Sequence, residues 1–512
     1  MVKKIRARYL FNLLGAVIIA IWIVMMGLLV KKTNFQGQPE ENINDEESAA
    51  LVDSIHREWK EIFLNDRKVG YSIDLIRPIE QGYYIQEEIF LKLNLMGMGM
   101  GLYAITYSNV DDRFILKNFY FKMNSGMITY NISGKVEGDH LLIKTGEGRR
   151  QKTESVNLSE PPMIGAGIEH LFKTLKIDIG DTYKLPFFDP STMAQQEVVL
   201  KVVSREPLKI NKIVYNAFRI ETEMWGNVIT FWIDENGTVL KEEGFMGLVM
   251  IKSSAANAPM DIEGEGGEDF YEMTAVPVDR ELPDPGRLSY LKLKVNSVDN
   301  LNINRTAWDG GRQRFNKDIM EISREKKPLK SSYSIPYEQS DDGLAPFLRS
   351  EFNIESDADE IREKARDIVG KEKDPVTASW KLMNWVYHNL DKRPVISVPS
   401  ALDVLRTRVG DCNEHATLLT ALLRASGIPA RLSIGLVYNR KKFFYHAWTE
   451  AYVGEWISMD ATLNQMPADV GHIRLISGNL DKQVEIMGLI GKLKLEVLDF
   501  EYDRDNRPDE DI

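Results

Sequence analysis

The sequence predicts an α+β protein with a large antiparallel β region, a C-terminal core of helices followed by strands, and one N-terminal transmembrane helix. Three observations predict it: an uncharged apolar run from Leu10 to Val30, period-of-two alternation from about Ser54 to Thr274, and helical spacing followed by strands from about Leu344.

The Leu10–Val30 run (LFNLLGAVIIAIWIVMMGLLV) is long enough at helical rise to cross a bilayer's hydrocarbon core. A cleavable signal peptide would carry a shorter apolar region and a small-x-small site, whereas Lys31-Lys32 follows here. Lys3, Lys4, Arg6 and Arg8 outnumber Lys31 and Lys32, so residues 1–33 read as a cytoplasmic basic flank and a membrane anchor. Everything after them is expected outside the cytoplasmic membrane, in the periplasm of a Gram-negative cell. Residues 34–53 are acidic and aperiodic and read as a tether.

Residues 54–274 form the β-rich region. Gly70–Ile76, Tyr83–Leu95 and Phe114–Met123 alternate as strands with one dry face do, Asp234-Glu235-Asn236-Gly237 marks a hairpin, and a short helix is expected near Ile168–Leu175. Met96-Gly97-Met98-Gly99-Met100-Gly101 is expected to be a strand with thioethers on one face, read as core filler or as the lining of an apolar-ligand site. The Gly-rich acidic stretch Asp261–Asp269 marks a boundary, and residues 275–343 form a small connecting β region with a strand at Leu288–Val295. The formal net charge of −12 and a pI near 5.3 exclude a nucleic-acid-binding body, because phosphate would be repelled. No cofactor or metal motif is found, and oligomeric state is not legible.

Residues 344–500 form the C-terminal core, with a charged tail at 501–512. Asp357–Val369 and Pro375–Leu390 show helical spacing, with Val376, Trp380, Met383 and Val386 or Tyr387 along one side of the second. A third helix, Cys412–Ser426, is capped by Asp411, whose Asp-x-x-Glu pattern with Glu414 is a capping box, and is stopped by Gly427 and Pro429. It is apolar nearly all round and should be central.

Cys412 is the one cysteine in 512 residues, so it cannot form an intramolecular disulfide. At a helix N-terminus the dipole favours a thiolate, so a lowered thiol pKa is expected. A thiolate needs a proton-transfer partner and an orienting group. Two strands downstream, Tyr445–Val453 and Trp456–Asp460, supply His446 as general base and acid and Asp460 to hold the imidazole tautomer. Each residue alone has a structural explanation: Cys412 as a small buried hydrophobe, His446 as a satisfied strand histidine, Asp460 as a strand-end cap. Together they favour catalysis. His415, one turn along the cysteine helix, points along it and is a poorer partner; Trp448 and Tyr452 either wall the cleft or are core; the Cys412 backbone N–H is one oxyanion donor.

Gly410-Asp411-Cys412, Arg424-Ala425-Ser426-Gly427-Ile428-Pro429-Ala430-Arg431, His446-Ala447-Trp448 with Glu450, and Trp456 through Asp460-Ala461-Thr462 resemble the transglutaminase-like core of bacterial envelope proteins. The resemblance implies a papain-like Cys-His-Asp fold, its cysteine helix packed on an antiparallel sheet, with the three roles on Cys412, His446 and Asp460. Animal transglutaminases stabilise the oxyanion with a tryptophan before the cysteine, and the stretch from Asp391 to Pro399 has none. That difference favours amide-hydrolysing relatives. The reading is therefore a membrane-anchored cysteine acyl-transfer enzyme acting on peptide or protein substrates of the envelope. The alternatives are a non-catalytic envelope scaffold and a lipid or lipoprotein carrier led by the β region.

Strand parity adds a geometric requirement. Opposed residues of an antiparallel hairpin share a face, so a two-residue turn at Gly454-Glu455 would put Asp460 on the wrong side of the sheet. A three-residue turn, Val453-Gly454-Glu455, pairs Tyr452 with Trp456 and brings Asp460 within reach of His446; a bulge would do the same.

Overall fold

Alternation in the β-rich region builds fourteen strands, from His56–Leu64 to Leu248–Ser253, paired into one antiparallel sheet. The computed structural model describes residues 55–503 except 127, 146–151, 264–266, 297–304, 327–330, 332, 339–342, 399 and 479–483. The predicted membrane span and the acidic tether lie outside the described residues, and no helix among the described residues is long and apolar enough to cross a membrane.

The sheet is two meanders joined at their ends. The first eight strands run in sequence order from His56 to Asn157, the last six from Thr182 to Ser253, and the joint is the pairing of His56–Leu64 with Leu248–Ser253. Ile85, Phe119, Phe121 and Ile132 of the first meander share a core with Val198, Ile220 and Ile233 of the second, around the short helix Gly165–Leu171. That helix carries Glu169, which accepts from buried Lys60 Nζ at 2.6 Å and so compensates a charge that burial alone would expel. The Asn-Gly hairpin forms as expected, with Gly237 at φ 78° and Asp234 Oδ1 accepting the N–H groups of Asn236 and Thr238.

The Met-Gly segment differs from expectation. Met96 (φ 53°) and Gly97 (φ 77°) form the turn of the hairpin between Gly82–Leu95 and Met98–Val110, where Leu95 pairs with Met98. Met96 and Met98 are exposed, so these thioethers fill no core. The turn's N–H groups donate to Asp269, Met96 N to Oδ1 at 3.0 Å and Gly97 N to Oδ2 at 2.7 Å. Asp269 also caps the short helix Phe270–Thr274.

The C-terminal core is built on the cysteine helix, Cys412–Ala425, whose capping box of Asp411 and Glu414 is present. Leu418, Leu419, Ala421, Leu422 and Leu423 are fully buried, between the helices Asp359–Val369, Pro375–Asn389 and Ala401–Thr407 and the strands Ala430–Asn439 and Lys442–Tyr452. Trp380 does not join the buried side of its helix: it is 47% exposed, while Val376, Met383 and Val386 are buried. Arg424 ties the helix end down through the carbonyls of Ala430 and Arg349 and the Glu351 carboxylate.

Lys442–Tyr452 is central in its sheet. It pairs with Val276–Pro277, Ala430–Asn439 and Trp456–Met459, and His472–Ser477 follows on the far side of Ala430–Asn439. A third sheet joins Gln313–Asn316, Ile319–Ser323 and Leu288–Asn296 to the late strand Lys494–Tyr502, and its Leu291, Leu293 and Val497 belong to the same core as the cysteine helix.

Candidate active site

The hairpin after His446 has the three-residue connection that parity requires. Tyr452 pairs with Trp456 and Thr449 with Met459, and Val453 N donates to Glu455 O at 2.9 Å. Thr449 faces the cysteine helix, its Oγ1 3.1 Å from the Ala416 carbonyl. His446 and Asp460 meet: Nε2 lies 2.7 Å from Oδ2. With Nε2 engaged, Nδ1 is left for Cys412, and the ring and the sulfur act on each other electrostatically. The Ala447 N–H also favours the thiolate. Cys412 is half-buried, His446 and Asp460 buried.

Electrostatics separate the three groups. Asp460 is held well below the usual carboxylate range: burial opposes this, but His446 and His472 outweigh it. Burial pulls the His446 imidazole down, yet Asp460 and the thiolate it faces lift it to about 9. Cys412 corrects the expectation of a lowered thiol. Burial first, then the neighbouring Asp411, push it up, against His446 and the Ala447 N–H. Desolvation of the sulfur thus opposes the helix N-terminus, and His446 is the first-named group that favours the thiolate.

The flanking residues are engaged elsewhere. Burial and Glu414 push the Asp411 carboxyl well up. Glu414 Oε2 accepts the Asp411 N–H at 2.9 Å, and Ser397 Oγ donates to Oε1. His415 donates its Nδ1–H to the Asp411 carbonyl at 2.6 Å, turning back onto its own helix rather than toward Cys412. Trp448 is core, packed beneath the His446 and His472 rings. Tyr452 joins the aromatic cluster of Tyr333, Tyr337 and Trp456.

Residues 362–461 match the family model described as the transglutaminase-like superfamily. The chain carries a transglutaminase-like domain. No curated protein matches the sequence. Among solved structures, a candidate cysteine protease from Cytophaga hutchinsonii shares 19% identity over 42% of this chain and 86% of its own, with a TM-score of 0.28. The periplasmic domain of TgpA from Pseudomonas aeruginosa shares 19% over 37% and 89%, TM-score 0.25. A β-barrel-like protein of a domain family of unknown function from Brucella abortus shares 15% over 39% and 95%, TM-score 0.30.

Two neighbours of the transglutaminase-like site escape sequence reasoning. Tyr271, from the segment that clamps the Met-Gly turn, stacks on Phe444 at 4.5 Å, and Cys412 acts on its hydroxyl. Its distance along the chain hides it. His472, wholly buried, places Nε2 3.0 Å from Asp460 Oδ2 and Nδ1 3.1 Å from Asp469 Oδ1. A signal existed: the chain has only 7 histidines, and this one opens the short strand HIRLIS, where a buried polar group needs a partner. His446, Asp460 and His472 offer donor atoms all within 4.8 Å of one another, a spacing that could suggest a metal. Two ligands on one zinc at bonds of about 2.1 Å sit roughly 3.4 Å apart. The 2.7 Å contact between His446 and Asp460 is instead that of a charge-assisted hydrogen bond.

Proposed function

We propose that the transglutaminase-like domain is a cysteine acyl-transfer enzyme that hydrolyses peptide or isopeptide amides in the cell envelope, with Cys412 as nucleophile, His446 as acid and base, and Asp460 as the group that orients His446. The observation that carries this reading is the 2.7 Å contact between the His446 imidazole and the Asp460 carboxylate, with Cys412 acting on the same ring.

In the proposed reaction the Cys412 thiolate adds to the amide carbon, and the Cys412 N–H, first in its helix and without an intrahelical acceptor, faces the developing oxyanion. The C–N bond breaks as His446 Nδ1–H passes to the leaving amine, leaving a thioester. Water, losing a proton to the same nitrogen, adds to the thioester; the C–S bond breaks, releasing the acid and restoring the thiolate and imidazolium.

Purified full-length protein tested against a panel of fluorogenic peptide and isopeptide amides should turn over at least one, and Cys412→Ala should abolish it. His446 must be an imidazolium to protonate the amine, so activity should decline as pH rises through about 9. Turnover that survives Cys412→Ala would overturn the assignment.

The Leu10–Val30 segment with its basic flank supports a second part of the reading: a single-pass inner-membrane anchor, N-terminus cytoplasmic, with the bulk of the chain outside. A reporter fused after Ile512 should be active only in the exported compartment; activity in the cytoplasm, or a mature protein beginning near Lys31, would contradict it. The carrier alternative is weakened, because Met96 and Gly97 form a turn and Met96 and Met98 are exposed.

A further inference from the structure

Resting on the catalytic reading above, we propose that His472 is a positioning residue, charged throughout the neutral range, that divides the Asp460 carboxylate with His446, and that Asp469 keeps it charged. The relay then runs Asp469–His472–Asp460–His446–Cys412.

Asp460 is fully buried and every acceptor site visible on it is used. Oδ1 takes the N–H groups of Thr462 at 2.7 Å and Leu463 at 3.0 Å, and Oδ2 faces both imidazoles, His446 at 2.7 Å and His472 at 3.0 Å. An ionised carboxylate only accepts, so each imidazole must donate from Nε2. The other nitrogen of His472 also faces a carboxylate, Asp469 Oδ1 at 3.1 Å. A neutral ring has one N–H and would aim a lone pair at one of the two anions, although the ring itself is wholly buried. Donation from both nitrogens satisfies both, and that species is the imidazolium. The ordinary values move accordingly: burial pulls His472 down but its two carboxylates lift it to about 9, and His472 holds Asp469 at about 2 against burial.

The surrounding groups are consistent. From the histidine strand come His446, beyond Asp460, and the uncharged Trp448; Val437 pairs with His472 from the neighbouring strand. Arg312 donates to the His472 carbonyl at 2.9 Å and bears on Asp469. Within the relay alone, the two carboxylates and the His472 cation leave one net negative charge, which the His446 imidazolium neutralises. His472 thereby fixes the Asp460 carboxylate plane and also limits how tightly Asp460 holds the His446 proton.

The test uses full-length protein with 15N-labelled histidine and two variants, His472→Gln, which keeps a donor toward Asp460 without the charge, and Asp469→Asn. In the native protein the His472 ring nitrogens should both be protonated throughout the neutral range. In His472→Gln, loss of a nearby cation should raise the His446 titration and the alkaline limb of kcat/KM by about one pH unit, with a roughly tenfold lower rate at neutral pH. A residue that merely fills space would move neither titration. In Asp469→Asn, His472 should titrate lower than in the native protein. A singly protonated His472 in the native protein overturns the proposal, as does an unmoved His446 titration in His472→Gln. Should that variant not fold, an unmoved His472 titration in Asp469→Asn overturns it instead. The ring titrations need no substrate, so absence of amide turnover in the native protein would count against the catalytic reading and leave this measurement decisive for His472.

Discussion

Asp460→Asn is expected to lower amide turnover by about 10⁴-fold, the scale on which losing the orienting carboxylate acts in such triads. The variant keeps the shape and removes the anion. With Asp460 neutral, burial acts on His446 without its main counterweight, and the imidazolium that now persists to about 9 is lost at lower pH. The alkaline limb should therefore move down, opposite to the direction expected for His472→Gln. Stability should fall as well, by about 3–5 kcal/mol, because one buried carboxylate serves two buried imidazoles. The sign with pH follows from the raised histidines. Their pairing with Asp460 contributes fully below their unfolded pKa of about 6.5 and is lost as pH rises through about 9. Urea titrations of both proteins should show a gap that is wide at pH 6 and narrower at pH 9. Native turnover in Asp460→Asn would remove Asp460 from the mechanism.

Gly435→Ala should be the most damaging single methyl in the C-terminal core. Gly435 pairs with His446 on one side and Arg474 on the other, at a register irregularity beside Ile434. A Cβ there would lie 1.8 Å from the Ile473 carbonyl oxygen. The obstacle is backbone, so no rotamer relieves it; the strand His472–Ser477 must move away. His472 is carried on that strand, so its contact with Asp460 opens at the same time. A cost above about 3 kcal/mol is expected, beyond ordinary overpacking, together with altered Cys412 alkylation. Gly101→Ala is the matched control: its Cβ would meet only the Phe90 ring edge at 4.0 Å, and its melting temperature should hardly change. Equal melting temperatures for the two variants would contradict this account.

The parts of the site that were legible in the sequence are those fixed by local rules. The start of the cysteine helix followed from Asp411 and Glu414, and the turn after Val453 followed from the parity that joins His446 to Asp460. What was not legible depends on distant chain. Pairing of Leu288–Asn296 with Lys494–Tyr502 joins segments with no local signal for each other. Tyr271 comes under the charge of Cys412 from just past a stretch that reads as a boundary, and the thiol is pushed up by burial that only the assembled core provides. The Met-Gly alternation was legible as a strand only over Met98–Gly101; Met96 and Gly97 occupy the left-handed conformations of a turn, which period two does not reveal.

The joint between the two meanders also sets the order of events during synthesis. His56–Leu64 is made first among the strands of the large sheet, yet one of its partners, Leu248–Ser253, is made last. Until that last strand leaves the ribosome, the first meander can form only with its leading strand unpaired along one edge, a template for pairing with another chain. Closing the sheet is thus a late, long-range step, slow by the loop-entropy rule, and the nascent chain is most vulnerable to association while only its first half has been made.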